Sequence, residues 1–281
     1  MKNSEFSKKK KLSIIGLVTG SVSSMFASGG GPIFSWLMQG WGEYDIKEVN
    51  GPALVTLSAV ASVGFALRLL LEKTDVKFEI AIIALIFGIP GVLLGKKLAF
   101  WLSSARLRQF FAIFLILAGT RMIGVNIFPA HVLSGLEYQS VIAFAGFIAG
   151  FGSSLLGMGG GLILVPIFTI YVGLSANEAL ATSLLASIPI MILGATLYFR
   201  THHINVDDLR YIVPVAIVGA LVGAYISHNI PNRPLQILFG SFLIISALKA
   251  FLDTRITFQP TTITPEESRS LNKTVGFVKK V

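Results

Sequence analysis

Two stretches of the chain combine residue types that could do chemistry: Ser23-Ser24-Met-Phe-Ala-Ser-Gly29-Gly30-Gly31-Pro32, and Ser153-Ser154-Leu-Leu-Gly-Met-Gly159-Gly160-Gly161 with Leu-Ile-Leu-Val-Pro166 behind it. Each places hydroxyls, three successive glycines and a proline inside an apolar run. Glycine costs a helix about 1 kcal/mol relative to alanine and an interior proline about 3, so both runs are expected to unwind locally. Unwinding exposes amide N–H groups at the start of the following half-helix, where the helix dipole adds partial positive charge. Glycine lets an anion approach that backbone closely, as in phosphate-binding loops. The chemistry these residues suit is the holding of a small anion, without covalent change.

Close helix packing is the competing role for small residues. It is the expected one for Gly16, Gly20, Gly146 and Gly150, which are spaced four apart. Three glycines in a row cover every face of a helix, so packing does not account for the triplets. Polar residues open the next apolar runs: Glu48, Asn50, Gly51 and Pro52 in one, Asn177, Glu178, Thr182 and Ser183 in the other. For Asn50, Thr182 and Ser183 a place at a pocket mouth and ordinary helix capping are both open readings; the glutamates are expected to be caps. Arg68, Arg121, Arg200 and Lys249 end apolar runs and are expected to snorkel toward headgroups. His202, His203, Asp207 and Asp208 have the composition of a metal or proton site but fall in a polar loop, where a solvated turn is expected. With no cysteine, four scattered histidines and no carboxylate in the middle of an apolar run, no catalytic group, metal or cofactor is expected, and the chain does not read as an enzyme.

The elements that must position these residues follow from composition. The 281 residues are 53% hydrophobic and 13% charged, about half the charge of an average soluble domain. Eight apolar runs are long enough to count in a bilayer core, which takes about 20 helical residues. Backbone groups in hydrocarbon must pair within their own segment, which excludes an open sheet. The expectation is an all-α integral membrane protein of about eight hydrophobic helical segments in two repeated halves, with the first and fifth segments broken at Gly-Gly-Gly. Its parts are a basic N-terminus (1–11), a first membrane repeat (12–128), a linker (129–138), a second repeat (139–252) and a tail (253–281). The basic residues cluster at the termini and between apolar runs, the pattern of headgroup anchors rather than of nucleic-acid binding.

The repeat is visible in the residues. At one constant offset Gly16, Gly20, Ser23, Ser24, Gly29, Gly30, Gly31 and Ile33 meet identical partners from Gly146 to Ile163, and without a gap Glu48 then meets Glu178. A signal-peptide reading of residues 12–27 would delete half of this symmetric feature and is rejected. Two topologies remain open: either all eight runs cross, or the first and fifth enter and return as hairpins, which makes the halves inverted. Both place most basic residues on one side and put both termini in the cytoplasm; the hairpin reading is preferred, because inverted halves suit alternating access.

The run Gly146 to Pro166, followed by Ala179-Leu-Ala-Thr182-Ser183-Leu, resembles the TauE/SafE family of membrane proteins, exporters of sulfite and organosulfonates. The resemblance spans roughly residues 12–252; the first half departs from it, with Phe-Ala-Ser before the triplet and Asn-Gly-Pro where Ala-Thr-Ser stands later. It implies export of a small anion, coupled to an ion gradient. The implied binding residues are Gly159, Gly160, Gly161, Pro166, Thr182 and Ser183, with Gly29, Gly30 and Gly31 as weaker counterparts. The hydroxyls of Ser23, Ser24, Ser153 and Ser154 and the amide of Asn50 are the further candidates from the residues themselves. The expected activity is secondary transport across the cell membrane; the alternative is a membrane scaffold or accessory subunit without transport. Expected partners are a small anionic solute and the lipid bilayer, not nucleic acid, with a homo-oligomer left open.

Overall fold

The computed structural model describes residues 2–27, 30–42, 44, 46–71, 75–98, 104–124, 135–199 and 206–256. Ten helices and no strand occur among them: α1 (Lys2–Phe26), α2 (Gly31–Gly40), α3 (Ile46–Leu70), α4 (Phe78–Leu98), α5 (Ser104–Ile123), α6 (Gly135–Leu156), α7 (Gly161–Ile170), α8 (Ala176–Phe199), α9 (Val206–Asn229) and α10 (Asn232–Ile256). Eight segments become ten helices because the first is α1 plus α2 and the fifth is α6 plus α7. α1 starts at Lys2, so the basic N-terminal stretch is helix continuous with the apolar run. Six helices, α3, α4, α6, α8, α9 and α10, are long and apolar enough to cross a bilayer. Their outward faces carry side chains such as Ile82, Ile86 and Leu93 of α4 and Leu221, Val222 and Tyr225 of α9, an apolar surface suited to lipid.

Each broken segment ends its first helix in left-handed backbone. Gly157 has φ 64°, and the residue at the equivalent position of the first half is Ala27, which takes φ 47° although a side chain disfavours that region. α2 and α7 are ten residues each, or about 15 Å of helix, half a bilayer.

Contacts between the long helices give their relative directions. Gly16 and Gly20 of α1 lie against the carbonyls of Ile212 and Ala216 of α9, and Gly219 and Gly223 of α9 lie against those of Leu17 and Ser21. α1 and α9 therefore run parallel. In the same way Gly146 and Gly150 of α6 meet the carbonyls of Ala84 and Gly88 of α4, while Gly91 and Gly95 meet those of Phe147 and Phe151. The packing role expected for these glycines is what the structure shows. α3 runs with α9, Val60 packing with Ala216 and Ala220 and Arg68 bonding Ser227. α8 runs with α4, since Thr182 meets Lys77 and Ile190 meets Gly88. α5 and α10 run antiparallel, Gly119 and Gly240 each facing the other's carbonyl at 2.7 Å from a built Cβ.

α1 and α3 thus point the same way, and α2 must bring the chain back between them. Tyr44, just beyond α2, donates to Asp208 at the start of α9, and the Lys8 ammonium near the start of α1 lies 3.1 Å from the same carboxylate. At the opposite face α7 returns the chain to Glu178, 3.9 Å from Lys77 at the start of α4. The two broken segments are re-entrant hairpins, the halves are inverted, and α1 begins on the face where α10 ends.

A valine at Gly20 or Gly150 would drive its Cβ into the carbonyl of Ala216 or Gly88, backbone that cannot rotate away. Each substitution is expected to cost about 1–3 kcal/mol as overpacking, read as a lower unfolding temperature in detergent. Gly40→Ala, with nothing within 4 Å of its added Cβ, should leave that temperature unchanged.

Candidate functional site

The two breaks touch. Gly31, first residue of α2, lies so close to the Gly157 carbonyl and Met158 Cα that no Cβ fits between them. Gly157 in turn rests on Asn50, whose Oδ1 is 3.0 Å from a built Cβ and whose Nδ2 donates to the Leu155 carbonyl at 3.3 Å. Asn50 belongs to α3 of the first half, so it ties one half to the break of the other. Gly30 packs on the Ser23 hydroxyl and Leu57; Gly160 packs on the Ser187 hydroxyl, 2.7 Å from a built Cβ. Leu57 and Ser187 are equivalent positions of α3 and α8. The residues before α2 and α7 are Gly30 and Gly160, and neither helix has a side-chain cap, so its first-turn amides are not consumed by a capping hydroxyl.

The carbonyl ends of α1 and α6 are met by donors at matching positions. Arg68 Nη2 donates to the carbonyls of Ser24 at 3.2 Å and Met25 at 3.4 Å, and to Ser227 Oγ at 2.6 Å. Tyr198, the equivalent residue of α8, donates its hydroxyl to the Ser154 carbonyl at 2.9 Å, with the Lys96 ammonium 3.3 Å from its ring centroid. A cation at a helix C-terminus is favoured by the dipole, and a cation on an aromatic face by the ring quadrupole. Arg68 corrects the sequence expectation: rather than snorkelling, it is fully buried. The reason is the break itself, whose orphan carbonyls lie inside the protein and draw the guanidinium inward. Lys249 lies 5.6 Å from the Trp36 ring centroid; Arg200, His202 and His203 fall outside the described residues.

The hydroxyls of Ser23, Ser24, Ser153, Ser154 and Ser187 are buried and, among the described residues, have no hydrogen-bond partner. A buried unpaired polar group costs about 1–3 kcal/mol, so five of them around two glycine breaks are groups that a polar solute or water would satisfy. Gly159 (φ 75°) and the buried Gly161 complete the second break. Gly29 lies outside the described residues, as does the Glu48 side chain. Thr182 Oγ1 accepts from the Lys77 amide at 3.1 Å, and Ser183 donates to the Leu180 carbonyl at 2.9 Å. Ser175 and Glu178 cap α8 reciprocally, Glu178 accepting from the Ser175 amide at 2.8 Å and Ser175 from the Glu178 amide at 3.4 Å, a capping box.

Two cavities lie along the short helices α2 and α7. One of about 40 Å³, room for about three water-sized groups, runs along α2 between α5 and α10, lined by Pro32, Ser35, Gln39, Met158 and Ser246. The other, of about 110 Å³, runs along α7 and holds Pro166, Arg121 and Tyr171. At the face where α1 begins, the Tyr44 hydrogen bond and then Asp208 hold the Lys8 ammonium above its ordinary value, against burial. That tie contributes stability across neutral pH and is lost only as pH rises through the lysine range. Among the described residues no cluster is placed to hold a metal ion.

Sequence reasoning missed Arg68, Tyr198, Lys96 and Ser187. The available signal was positional: Arg68 and Tyr198 stand at the triplet offset, as do Leu57 and Ser187. The two breaks also differ as targets for substitution. Gly31→Ala, blocked by backbone, is expected to lose about 1–3 kcal/mol in a detergent unfolding scan. Gly160→Ala meets only a serine hydroxyl that can rotate, and Gly160 has φ −79°, so this variant should unfold within a degree or two of the parent.

The chain was compared with known proteins. It is 25% identical over 258 residues to a Methanocaldococcus jannaschii protein described as a probable membrane transporter, covering 84% of this chain and 93% of the relative. It is 22% identical to the Bacillus subtilis protein YunE, also described as a probable membrane transporter, covering 83% and 94%. No solved structure matches. The family model for the sulfite exporter TauE/SafE matches residues 2–122 and 142–278. Because that match takes in both hairpins and the helices that hold them, the chain belongs to the TauE/SafE family.

Proposed function

We propose that this multi-pass membrane protein is a secondary transporter that exports a small anion, with sulfite or an organosulfonate as the leading substrates, by alternating access through the paired breaks. The observation that carries the reading is the contact of Gly31 with Gly157 and Met158, which brings the start of α2 against the break between α6 and α7 among unpaired buried hydroxyls. Paired interrupted segments in inverted halves are the common build of such a site. Ser23, Ser24, Ser153, Ser154 and Ser187 supply donors, Gly30, Gly31, Gly159, Gly160 and Gly161 supply approachable backbone, and Asn50 orients the second break. Gly29 is assigned here on the repeat alone. Thr182, Ser183 and Pro166 support the helices around the site rather than the breaks themselves. The cavities along α2 and α7 would open in alternation, each to its own face. The basic clusters at the termini favour a cytoplasmic location for both ends, in the plasma membrane.

The test is flux of sulfite, sulfate, thiosulfate and sulfoacetate in proteoliposomes, with and without an imposed proton gradient. Saturable flux of at least one anion is expected, reduced at least tenfold by Gly160→Ala in protein that unfolds at the parent temperature. Folded, inserted protein that passes none of them under any gradient would favour the scaffold reading.

A further inference from the structure

Arg68 is more than a helix cap. A guanidinium has five N–H donors and stays charged at any physiological pH, yet among the described residues only Nη2 finds acceptors; Nε and Nη1 are buried with none. Among the described residues no carboxylate pairs with it: the ion pairs are Lys8 with Asp208, Lys77 with Asp75 and Glu178, and Arg210 with Asp207, all near helix starts. The carbonyl end of α1 offsets about half an elementary charge. A water could fill the vacant N–H directions but would leave the remaining charge in place. Next to it the Ser24 hydroxyl, also buried and unpartnered, lies over Gly64, one helical turn before Arg68, where any side chain would displace it. The second break differs: the equivalent residue, Tyr198, is neutral, and the cation beside it is the Lys96 ammonium, which lies on its ring and is no planar fork of donors.

We propose that the tip of the first hairpin is a binding station for a small oxyanion, with Arg68 Nε and Nη1 supplying charge and donors and the Ser24 hydroxyl a further donor. Oxyanions suit a guanidinium because several oxygens can accept from its planar N–H groups at once. The inference rests on reading the breaks as an anion pathway, and it deepens that reading by making the site asymmetric: the guanidinium stands at the hairpin of α1 and α2, while the hairpin of α6 and α7 has a tyrosine with the Lys96 ammonium on its ring.

Thermal unfolding of the purified protein in neutral detergent, followed by tryptophan fluorescence against rising sulfite, methanesulfonate, sulfate or chloride, tests it. The parent is expected to gain stability in a saturable way with at least one oxyanion and less with chloride. Arg68→Gln keeps a donor for the α1 carbonyls but removes the charge, and should raise the half-saturating concentration at least tenfold. Arg68→Lys should recover part of it. Ser24→Ala, read the same way, should weaken binding severalfold and serves if Arg68→Gln does not fold. Equal shifts in parent and variants, the signature of a general salt effect, would overturn the station, as would saturable parent flux that Arg68→Gln leaves intact. The latter outcome leaves transport through the breaks standing, whereas absence of any saturable parent flux strikes at that reading itself.

Discussion

The structure depends on how two helix ends are satisfied inside a bilayer. A helix that stops leaves carbonyls without partners, and hydrocarbon offers no water to take them. α1 and α6 both stop within the protein, and the donors come from Arg68 and Tyr198, one on α3 and one on α8. Those helices must then run beside α1 and α6 in the same direction, so that their later turns reach the broken ends. Parallel neighbours in sequence require a return, and the ten-residue helices α2 and α7 provide it. The hairpin topology is thus a consequence of where the orphan carbonyls find donors.

Each half is packed into the other. α1 has its long backbone contact with α9 and α6 has its with α4, so each hairpin is clasped by a helix from the other half. In lipid, apolar side chains gain little by leaving one apolar neighbour for another, and close backbone approach through small residues takes over. The glycine ladders at Gly16, Gly20, Gly219 and Gly223, and at Gly146, Gly150, Gly91 and Gly95, do this in both clasps. The inverted symmetry is therefore built into packing and not only into sequence.

The symmetry is broken where chemistry is concentrated. Ala27 takes the left-handed backbone that Gly157 takes in the second half; Leu57 covers Gly30 where Ser187 covers Gly160; Arg68 stands where Tyr198 stands. The first break has the guanidinium, and the second has a tyrosine under the Lys96 ammonium and the larger share of unpaired hydroxyls. A pathway between two such ends presents different groups to a solute at each.

By itself, the sequence determined the helical membrane class, the two halves and the positions of the breaks. Apolar run length and glycine–proline content are local properties, and the triplets align by simple offset. The packing role of Gly16, Gly20, Gly146 and Gly150 was legible for the same reason, since a spacing of four defines one helix face. The choice between crossing and re-entrant segments was not legible, because the basic residues fall mostly on one side in either topology. The buried fate of Arg68 was equally hidden: the end of an apolar run reads as a headgroup anchor, and only the tertiary structure brings the carbonyls of Ser24 and Met25 to it. Thr182 shows the converse. Its place in the motif suggested a pocket, while the fold spends its hydroxyl on the Lys77 amide, because α4 begins beside α8 and that adjacency depends on contacts far apart in the chain.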